Sequence, residues 1–325
     1  RALRSFSGSA TVSATPASTA SSPGATASAQ GPTGAVVGLI GAHESFGRVE
    51  ALRGVSLTVR RGELIGFLGP NGAGKTTAIS LMIGLRRPDS GKALLFGLDP
   101  NDLRARSRTG VMLQESGIPL TLKVREVVDL FRTYYPKPLP TDTVVEMADL
   151  GEFQGKLIKN LSGGQRQRVY FALAICGDPD ALFLDEPTVG LDTATRRAFW
   201  EQVRGFKKHG KSIVLTTHYL DEADALADRI VVIDHGLIVV EDSPEAIRGR
   251  VPGKKVTFHW PGGPSDAMDG LPGESLAIDG PRVAFLTSSP EEVLRMLFAN
   301  GARITDLEVV GAGLEEAVLV LTGGR

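Results

Sequence analysis

Runs of consecutive apolar residues alternate with helical patterns through the middle of the chain. The segments Gly62–Gly69, Ala181–Asp185 and Ser212–Thr217 read as buried strands, and Lys75–Leu85 has the apolar spacing of a helix. Continuous apolar strands that alternate with helices are typical of a parallel sheet covered on both faces. The pattern therefore predicts an α/β core, and Arg229–Val240 predicts a hairpin that turns at its Asp-His-Gly triplet.

The pattern changes beyond Pro244, where short strand-like segments replace the long apolar runs. One helix is predicted with Pro290 in its first turn and Gly301 just after its end. This part of the chain predicts a small α+β domain at residues 246–325. Its predicted elements are the strands Lys254–Trp260, Ser275–Asp279, Arg282–Thr287 and Ile304–Val310 and the helices Pro290–Asn300 and Leu314–Leu321.

The first 35 residues differ in composition from the rest of the chain. Ser, Ala, Thr, Gly and Pro fill 28 of the first 34 positions, and the only charges there are Arg1 and Arg4. Such a segment buries too little apolar surface to offset its ordering entropy, so a disordered tail is predicted at 1–35. An organelle transit peptide is the alternative, because the segment is Ser-rich, lacks acids and carries arginines. The main domain is then predicted at 36–245.

Composition and charge narrow the classes of function. The chain has 325 residues, with 36 Lys and Arg against 37 Asp and Glu and a formal net charge of −1. This balance gives no electrostatic basis for binding nucleic acid. The single cysteine, Cys176, excludes an intramolecular disulfide framework and a cysteine metal cluster. Because no run of about 18 apolar residues occurs, we expect a cytosolic globular protein that reaches a membrane only through a partner.

The segment Gly69–Thr76, called here the phosphate loop, matches the pattern G-x-x-x-x-G-K-[ST] at every fixed position. Its glycines let successive backbone N–H groups turn toward a phosphate, and the following helix directs its positive end to the same point. We expect Lys75 to bridge the β- and γ-phosphates and Thr76 to bind Mg²⁺. The predicted nucleotide-binding residues here are Gly69, Pro70, Asn71, Gly72, Ala73, Gly74, Lys75, Thr76 and Thr77.

Two acids follow the apolar strand at 181–184. Asp185 is predicted at the carboxyl end of a parallel strand, where α/β sheets bind ligands, and there it would hold Mg²⁺. Glu186 is then placed to polarise an attacking water. Alone, the pair could equally be two solvated acids opening a turn before Pro187. Its combination with the phosphate loop favours the catalytic interpretation.

The segment Leu161–Arg168, called here the signature segment, opens a helix predicted to run to about Cys176. Ser162 is a suitable N-cap, and Gly163 and Gly164 allow an anion to approach the helix N-terminus closely. By itself the segment could be just a capped helix. Its position 23 residues before Asp185 gives it specificity.

Together these motifs resemble the ATP-binding cassette (ABC) ATPases over residues 37–245. The resemblance implies a P-loop NTPase fold of class α/β, with a parallel-sheet core, an antiparallel β subdomain, a helical subdomain at about 115–165 and, beyond the cassette, the small C-terminal domain.

Four further residues resemble elements of the family. Phe46 stands where the family usually has a tyrosine that stacks on adenine, and Gln114 resembles the glutamine that joins Mg²⁺ and water to the helical subdomain. Asp192 resembles part of a loop that crosses the dimer interface, and His218 resembles the histidine that contacts the γ-phosphate. Phenylalanine keeps a π face but lacks the hydroxyl, so adenine stacking is expected while purine selectivity stays open.

The resemblance also implies how the site is completed. In the family, ATP lies between the phosphate loop of one cassette and the signature segment of another, so a second ABC subunit is expected, in a homodimer or a heterodimer. The implied cofactors are ATP and Mg²⁺. The implied signature contacts are Ser162, Gly163, Gly164 and Gln165, the metal ligands Thr76, Gln114 and Asp185, and the catalytic residues Lys75, Gln114, Glu186 and His218.

Two segments resemble the multidrug and daunorubicin-resistance type of ABC exporter: Leu120–Tyr135 and the closing Ile304–Gly323. In that type the ATPase is a separate peripheral subunit at the cytoplasmic face of the membrane. It pairs with an integral membrane permease of about six transmembrane helices, whose own hydropathy would reveal its spans. Residues 115–155 would carry the docking surface, and the transported substrate stays open.

Other classes of the family are alternatives. An ABC importer ATPase is the nearest, although the C-terminal region does not resemble the importers' β-barrel, and a soluble non-transport ABC ATPase is the next. Ribosome-acting members normally carry two cassettes, and DNA-repair members need a long heptad insertion between Gly74 and Ser162, which is absent. A non-catalytic regulator would be expected to lack Glu186 or His218.

Overall fold

The computed structural model describes residues 34–113, 117–250, 253–260, 274–299 and 301–321. All but the last two residues of the predicted tail at 1–35 lie outside the described residues, and so does Gln114. Every described residue falls within one compact unit. Within them, no helix has the length and the apolar character needed to cross a bilayer.

The core of the described chain is a six-stranded sheet made of β3 (Leu64–Leu68), β5 (Thr109–Met112), β6 (Ala181–Asp185), β7 (Ser212–Thr217), β8 (Arg229–Asp234) and β9 (Leu237–Asp242). The spatial order is β5-β6-β7-β3-β8-β9, with β9 antiparallel at one edge and the others parallel. Strands β3, β6 and β7 are buried at every position, which explains their continuous apolar sequences. Their carboxyl ends meet at one edge of the sheet, where such folds bind ligands.

Helices cover both faces of this sheet. On the face of Ile65 and Phe67, the buried residues Ile79 and Met82 of one helix pack into a shared core. On the other face, Phe199 of another helix joins a second core. The helices of the cassette outside the helical subdomain are α1 (Lys75–Met82), α2 (Leu103–Arg106), α6 (Thr193–Lys208), α7 (Leu220–Leu226) and α8 (Pro244–Gly249).

An antiparallel sheet of three described strands packs beside the core. It consists of β1 (Ala35–Phe46), β2 (Val49–Arg60) and β4 (Ser90–Leu95), in the order β2-β1-β4. Buried and exposed positions alternate along β2, so that Val55, Leu57 and Val59 face the same core as Phe67. Strands β1 and β2 form a hairpin in which Phe46 pairs with Val49.

A helical region follows β5. Its elements are α3 (Val124–Arg132), α4 (Thr141–Met147), a 3₁₀ turn (Ile158–Asn160) and α5 (Gly163–Ile175). The N–H of Lys123 donates to the Glu126 carboxylate at 2.8 Å and caps α3. Val127 and Val128 of α3 share one apolar core with Val144 of α4.

The C-terminal part is a second antiparallel sheet with two helices. Its described strands are β10 (Lys254–His259), β11 (Glu274–Asp279), β12 (Arg282–Thr287) and β13 (Thr305–Gly311), in the order β11-β12-β10-β13, and its helices are α9 (Pro290–Ala299) and α10 (Leu314–Leu321). Phe258 and Phe285 pack with Leu297 of α9 in a core of their own. Leu314 and Ala317 of α10 instead join a core shared with Val232 of β8, which joins this part to the cassette.

The fold confirms the predicted P-loop NTPase class, with a parallel core, an antiparallel β sheet and a helical region. Several strand ends differ from the predicted ends by one or two residues, and the largest correction is in the first helix, which ends at Met82, not at Leu85. Gly84 has a left-handed backbone (φ +72°), which ends the helix, and the N–H of Leu85 folds back to the carbonyl of Ser80 at 2.9 Å. Leu85 is consequently exposed, although its spacing fits the helix's apolar face.

Candidate active site

A cavity of about 680 Å³ opens at the carboxyl edge of the core sheet. Its walls come from the β1–β2 hairpin, from the phosphate loop with the start of α1, and from the segments that follow β6 and β7. The lining residues are Phe46, Val49, Ala51, Asn71, Gly72, Gly74, Lys75, Thr76, Thr77, Glu186, Val189 and His218. Nine of these twelve are residues that the sequence predicted.

The phosphate loop has a shape that needs glycine. Gly74, the N-cap of α1, has a left-handed backbone (φ +108°), and a Cβ there would lie 2.5 Å from the carbonyl oxygen of Ala51. A Cβ at Gly69 would lie 2.2 Å from the carbonyl oxygen of Ile233. The loop therefore packs directly against neighbouring backbone. The N-terminus of α1 lines the cavity, where it favours a bound anion such as a phosphate.

Lys75 spans the loop that precedes it. Its Nζ donates to the carbonyl oxygens of Gly69 at 2.7 Å and Pro70 at 3.1 Å, and the side chain is buried. Burial lowers the pKa of Lys75, and the negative charges of Glu186 and Asp185 partly oppose that shift. The ammonium is thus held in place by weak acceptors that a phosphate oxygen could replace.

Glu186 lies between two predicted catalytic side chains. Its Oε1 is 4.0 Å from Lys75 Nζ and its Oε2 is 3.7 Å from Nδ1 of His218. The backbone of Glu186 is left-handed (φ +49°), an unusual conformation for a residue with a side chain. Its N–H donates to the carbonyl of Thr216 at 3.1 Å and to the hydroxyl of Thr216 at 3.0 Å, which fixes this conformation.

Asp185 is the last residue of β6 and directly precedes Glu186 in the sequence. Its side chain is buried and accepts a hydrogen bond from the hydroxyl of Thr216. Burial raises the pKa of Asp185, and the negative charge of Glu186 raises it further. The hydrogen bond from Thr216 and the positive charge of Lys75 act in the opposite direction. Asp185 does not line the cavity, whereas the exposed residue Thr76 does. A carboxylate and a hydroxyl are nevertheless the oxygen donors that suit Mg²⁺. The described residues contain no group of three or more His, Cys, Asp and Glu side chains that could bind a metal alone.

The signature segment is not part of the cavity wall among the described residues. Ser162 caps α5: its Oγ accepts from the N–H of Gln165 at 3.2 Å, and the Gln165 side chain accepts from the N–H of Ser162 at 3.2 Å. Ser162 and Gly163 are exposed, so the helix N-terminus is open to an anion. A Cβ at Gly164 would lie 3.2 Å from the Thr195 side chain, so this glycine packs against α6.

Asp192 also lies outside the cavity wall. It is the N-cap of α6, and it accepts from the N–H of Thr195 at 2.9 Å and from the Thr195 hydroxyl at 2.7 Å. These hydrogen bonds lower the pKa of Asp192. Within one chain its role is therefore to cap a helix next to the signature segment, and its predicted contact across a dimer stays a prediction.

Three predicted residues of the phosphate loop lie off the main cavity. Gly69 and Pro70 line a second cavity of about 230 Å³, together with His218 and Val318 of α10. Ala73 is buried beneath the loop, where its carbonyl accepts from the N–H of Gly236 at 3.0 Å.

The sequence analysis missed three lining residues, Val49, Ala51 and Val189. They are apolar or small, so they carry no pattern that signals chemistry. The available signal is the tight turn between Phe46 and Val49, which places these two residues opposite each other at the end of the hairpin.

Comparison with known proteins shows the family to which this chain belongs. The family model described as ABC transporter matches residues 52–189, a range that contains the phosphate loop, the signature segment and the Asp185-Glu186 pair. The Nod factor export ATP-binding protein I of Rhizobium sp. (strain N33) is 34% identical over 297 residues, which cover 88% of this chain and 96% of that protein. The chain belongs to the ABC transporter ATP-binding proteins. It is an ATPase subunit that binds ATP.

Other comparisons extend the likeness. The daunorubicin resistance ATP-binding protein DrrA3 of Streptomyces coeruleorubidus is 34% identical over 300 residues, which cover 87% of this chain and 94% of that protein. A solved structure described as the dimeric post-hydrolysis state of the ATP-binding cassette MJ0796 with ADP and Pi has a TM-score of 0.58 and 26% identity. It covers 64% of this ABC subunit and 98% of that cassette.

Proposed function

We propose that this chain is the ATP-hydrolysing subunit of an ABC exporter and that it drives transport through a separate membrane permease. The observation that carries the proposal is the convergence of Lys75, Glu186 and His218 on one cavity whose wall also includes an aromatic ring, that of Phe46. The cavity thus has an aromatic ring on which a nucleotide base can stack, a loop that can bind phosphates and a carboxylate that can polarise a water.

Within the site each residue has a proposed task. ATP stacks its base on Phe46 and places its phosphates over the N-terminus of α1, and Lys75 exchanges its carbonyl partners for phosphate oxygens. Glu186 orients the attacking water and accepts its proton. His218 lies 3.7 Å from that carboxylate and holds it and the γ-phosphate in register.

Mg²⁺ fits the donor set next to the phosphates. Thr76 and Asp185 would hold it, and Gln114, the third predicted ligand, lies outside the described residues. When bound, the ion neutralises charge on the β- and γ-phosphate oxygens. Asp185 is kept in place for this task by the Thr216 hydroxyl, which also bonds the N–H of Glu186.

A second cassette is proposed to complete the site. The signature segment has an exposed helix N-terminus that favours an anion, but within one chain this segment does not line the cavity proposed for the phosphates. A second copy of this chain can supply it, because this chain carries both the phosphate loop and the signature segment. Bound ATP then contacts both chains and closes the dimer, and ATP hydrolysis lets the dimer open again.

The export direction and the permease rest on relatives. Two export or resistance ATP-binding proteins match this chain over almost its whole length, including the C-terminal region that lies beyond the matched family model. On this basis we propose that the chain works at the cytoplasmic face of a membrane. The resemblance of its sequence to the drug-resistance exporters further implies a permease of about six transmembrane helices, detectable from its hydropathy.

The test is co-purification of the full-length tagged chain from mildly solubilised membranes of its native host, with partners identified by mass spectrometry. We expect a polytopic membrane protein in near-stoichiometric amount, retained by wild type and by a Lys75→Ala variant, in which ATP binding is expected to be weakened. An importer permease with its binding protein would contradict the export direction. Recovery of ribosomes, DNA-bound proteins or soluble proteins alone would contradict the transporter assignment.

A further inference from the structure

A cation lies against the aromatic ring of Phe46, which lines the main cavity. The guanidinium carbon of Arg86 is 4.4 Å from the centroid of the Phe46 ring. Phe46 lines the main cavity, whereas Arg86 lines a separate groove of about 330 Å³ together with Pro88 and Lys92. The guanidinium therefore contacts a ring of the cavity wall without itself lining that cavity.

Arg86 is held in this position by a buried acid. Its Nη1 is 3.2 Å from Oε1 of Glu44, a residue of β1 that is only 4% exposed. The other oxygen, Oε2, is buried and has no hydrogen-bond partner within the described part of the chain. A buried carboxylate needs a compensating cation, so Glu44 and Arg86 fix each other beside Phe46.

Hydrogen bonds connect the segment 86–89 with the β1–β2 hairpin and with α1. The carboxylate of Asp89 accepts from the N–H of Ser45 at 2.8 Å, and the N–H of Asp89 donates to the carbonyl of His43 at 2.8 Å. On the other side, the N–H of Arg86 donates to the carbonyl of Ser80, in α1, at 3.1 Å. The segment 86–89 thus connects α1 with the end of the hairpin that carries Phe46.

We propose that Arg86 is a positioning residue for the nucleotide base, acting through the ring of Phe46. A cation on one face of an aromatic ring draws π density toward itself, which makes the opposite face a better partner for an electron-rich purine. The same contact fixes the ring's orientation before the nucleotide arrives, so less entropy is lost on binding. This inference rests on the proposed assignment of the cavity to ATP.

The test compares ATP with inorganic tripolyphosphate, which has no base, as competitors of a fluorescent ATP analogue in the presence of Mg²⁺. Arg86→Gln should weaken ATP about two- to tenfold, the cost of immobilising one freed side chain on binding. It should leave tripolyphosphate unchanged. Because Arg86→Gln alone leaves the Glu44 carboxylate uncompensated, the double variant Glu44→Gln/Arg86→Gln is measured beside it, with the same expected result.

Two further variants separate the base effect from a general one. Phe46→Leu removes the ring, so adding Arg86→Gln to it should cause no further loss of ATP affinity. Arg87→Gln removes the neighbouring exposed cation and should change neither ligand. Equal weakening of ATP and tripolyphosphate by Arg86→Gln, or no weakening of ATP, would overturn the inference. Failure of the wild-type chain to bind either ligand would instead overturn the nucleotide assignment itself, and the inference with it.

Discussion

At the scale of single residues, the backbone of Glu186 determines where its carboxylate lies. A left-handed conformation at a residue with a side chain costs on the order of 1–3 kcal/mol, so it persists only where neighbours impose it. Here the carbonyl and the hydroxyl of Thr216 both accept from the Glu186 N–H. The result is a carboxylate within 4.0 Å of Lys75 and 3.7 Å of His218 rather than one directed to solvent.

Glu186→Gln should therefore separate binding from hydrolysis. The amide has nearly the same shape but accepts no proton, so ATPase activity should fall about 10²- to 10⁴-fold, the usual contribution of a general base. Binding of MgATP should stay close to wild type, and ATP should accumulate a dimer. Steady-state phosphate release and size-exclusion chromatography measure the two effects.

Glu201→Gln is the matched control, because Glu201 is an exposed carboxylate on α6 that pairs with Arg204. It should leave phosphate release unchanged. Wild-type turnover by Glu186→Gln would show that another group accepts the proton.

Single residues of the site were predictable where their spacing is fixed by chemistry. The phosphate loop and the acidic pair follow from the sequence because each lies at the end of a predicted strand, whereas His218 is implied only by the resemblance to the ABC ATPases. The apolar wall at Val49 and Ala51 did not, because its position depends on how the β1–β2 hairpin folds over the loop. Arg86 was missed for the same reason: its partner Glu44 is 42 residues away.

At the scale of elements, Glu222 of α7 joins the segments that carry the catalytic groups. It is completely buried and accepts from Nε1 of Trp200 on α6 at 2.9 Å and from the hydroxyl of Thr188 at 3.1 Å. Thr217, which precedes His218, also donates to it. Thr188 follows Glu186 by two positions, so this carboxylate ties together the two loops that hold Glu186 and His218.

Burial of this group predicts a pH dependence of stability. Burial raises the pKa of Glu222 above its ordinary value of 4.5, although the hydrogen bonds from Thr217, Trp200 and Thr188 and the charge of Arg196 oppose this. A raised pKa means that the folded state binds the proton more tightly than the unfolded state. The associated stability is fully present below 4.5 and is lost as the pH rises from there through the folded-state pKa.

The free energy of unfolding of wild type should therefore fall relative to that of Glu222→Gln as the pH rises from about 5 to about 8, since glutamine does not titrate. Urea denaturation of the two proteins across this range measures the difference. A flat difference for Glu222→Gln would show that burial does not shift the pKa of Glu222.

The elements themselves were largely predictable, and their assembly less so. The strands β6, β7 and β12 and the helix α10 have the predicted bounds, because runs of apolar residues and turn residues define them locally. The order β11-β12-β10-β13 in the C-terminal sheet depends on pairings between distant segments, which local patterns do not specify.

At the scale of the whole molecule, the proposal is that the phosphate loop and the signature segment of one chain belong to two different sites. Its cavity has the phosphate loop and the carboxylate, while the open N-terminus of α5 with Ser162 does not line this cavity. The C-terminal part contributes another connection, since α10 packs on the cassette and Val318 borders the small cavity behind the phosphate loop. The sequence predicted this part as a separate domain, and that division remains a prediction.

The central claim, that each site is shared between two chains, is tested by mixing two inactive variants. Lys75→Ala removes the phosphate contact. Ser162→Asp keeps an N-cap residue on α5 but sets a negative charge against the γ-phosphate. Each variant alone should be inactive. A dimer of one variant with the other contains one fully wild-type site, built from the phosphate loop of the Ser162→Asp chain and the signature segment of the Lys75→Ala chain.

ATPase activity of the equimolar mixture is the measurement, with the variants mixed at a total concentration equal to that of the wild-type reference. Random pairing makes roughly half of the dimers mixed, each with one working site, so roughly a quarter of wild-type activity should return. A mixture that stays as inactive as its two components, or a Ser162→Asp protein that is fully active by itself, would contradict a site shared between chains.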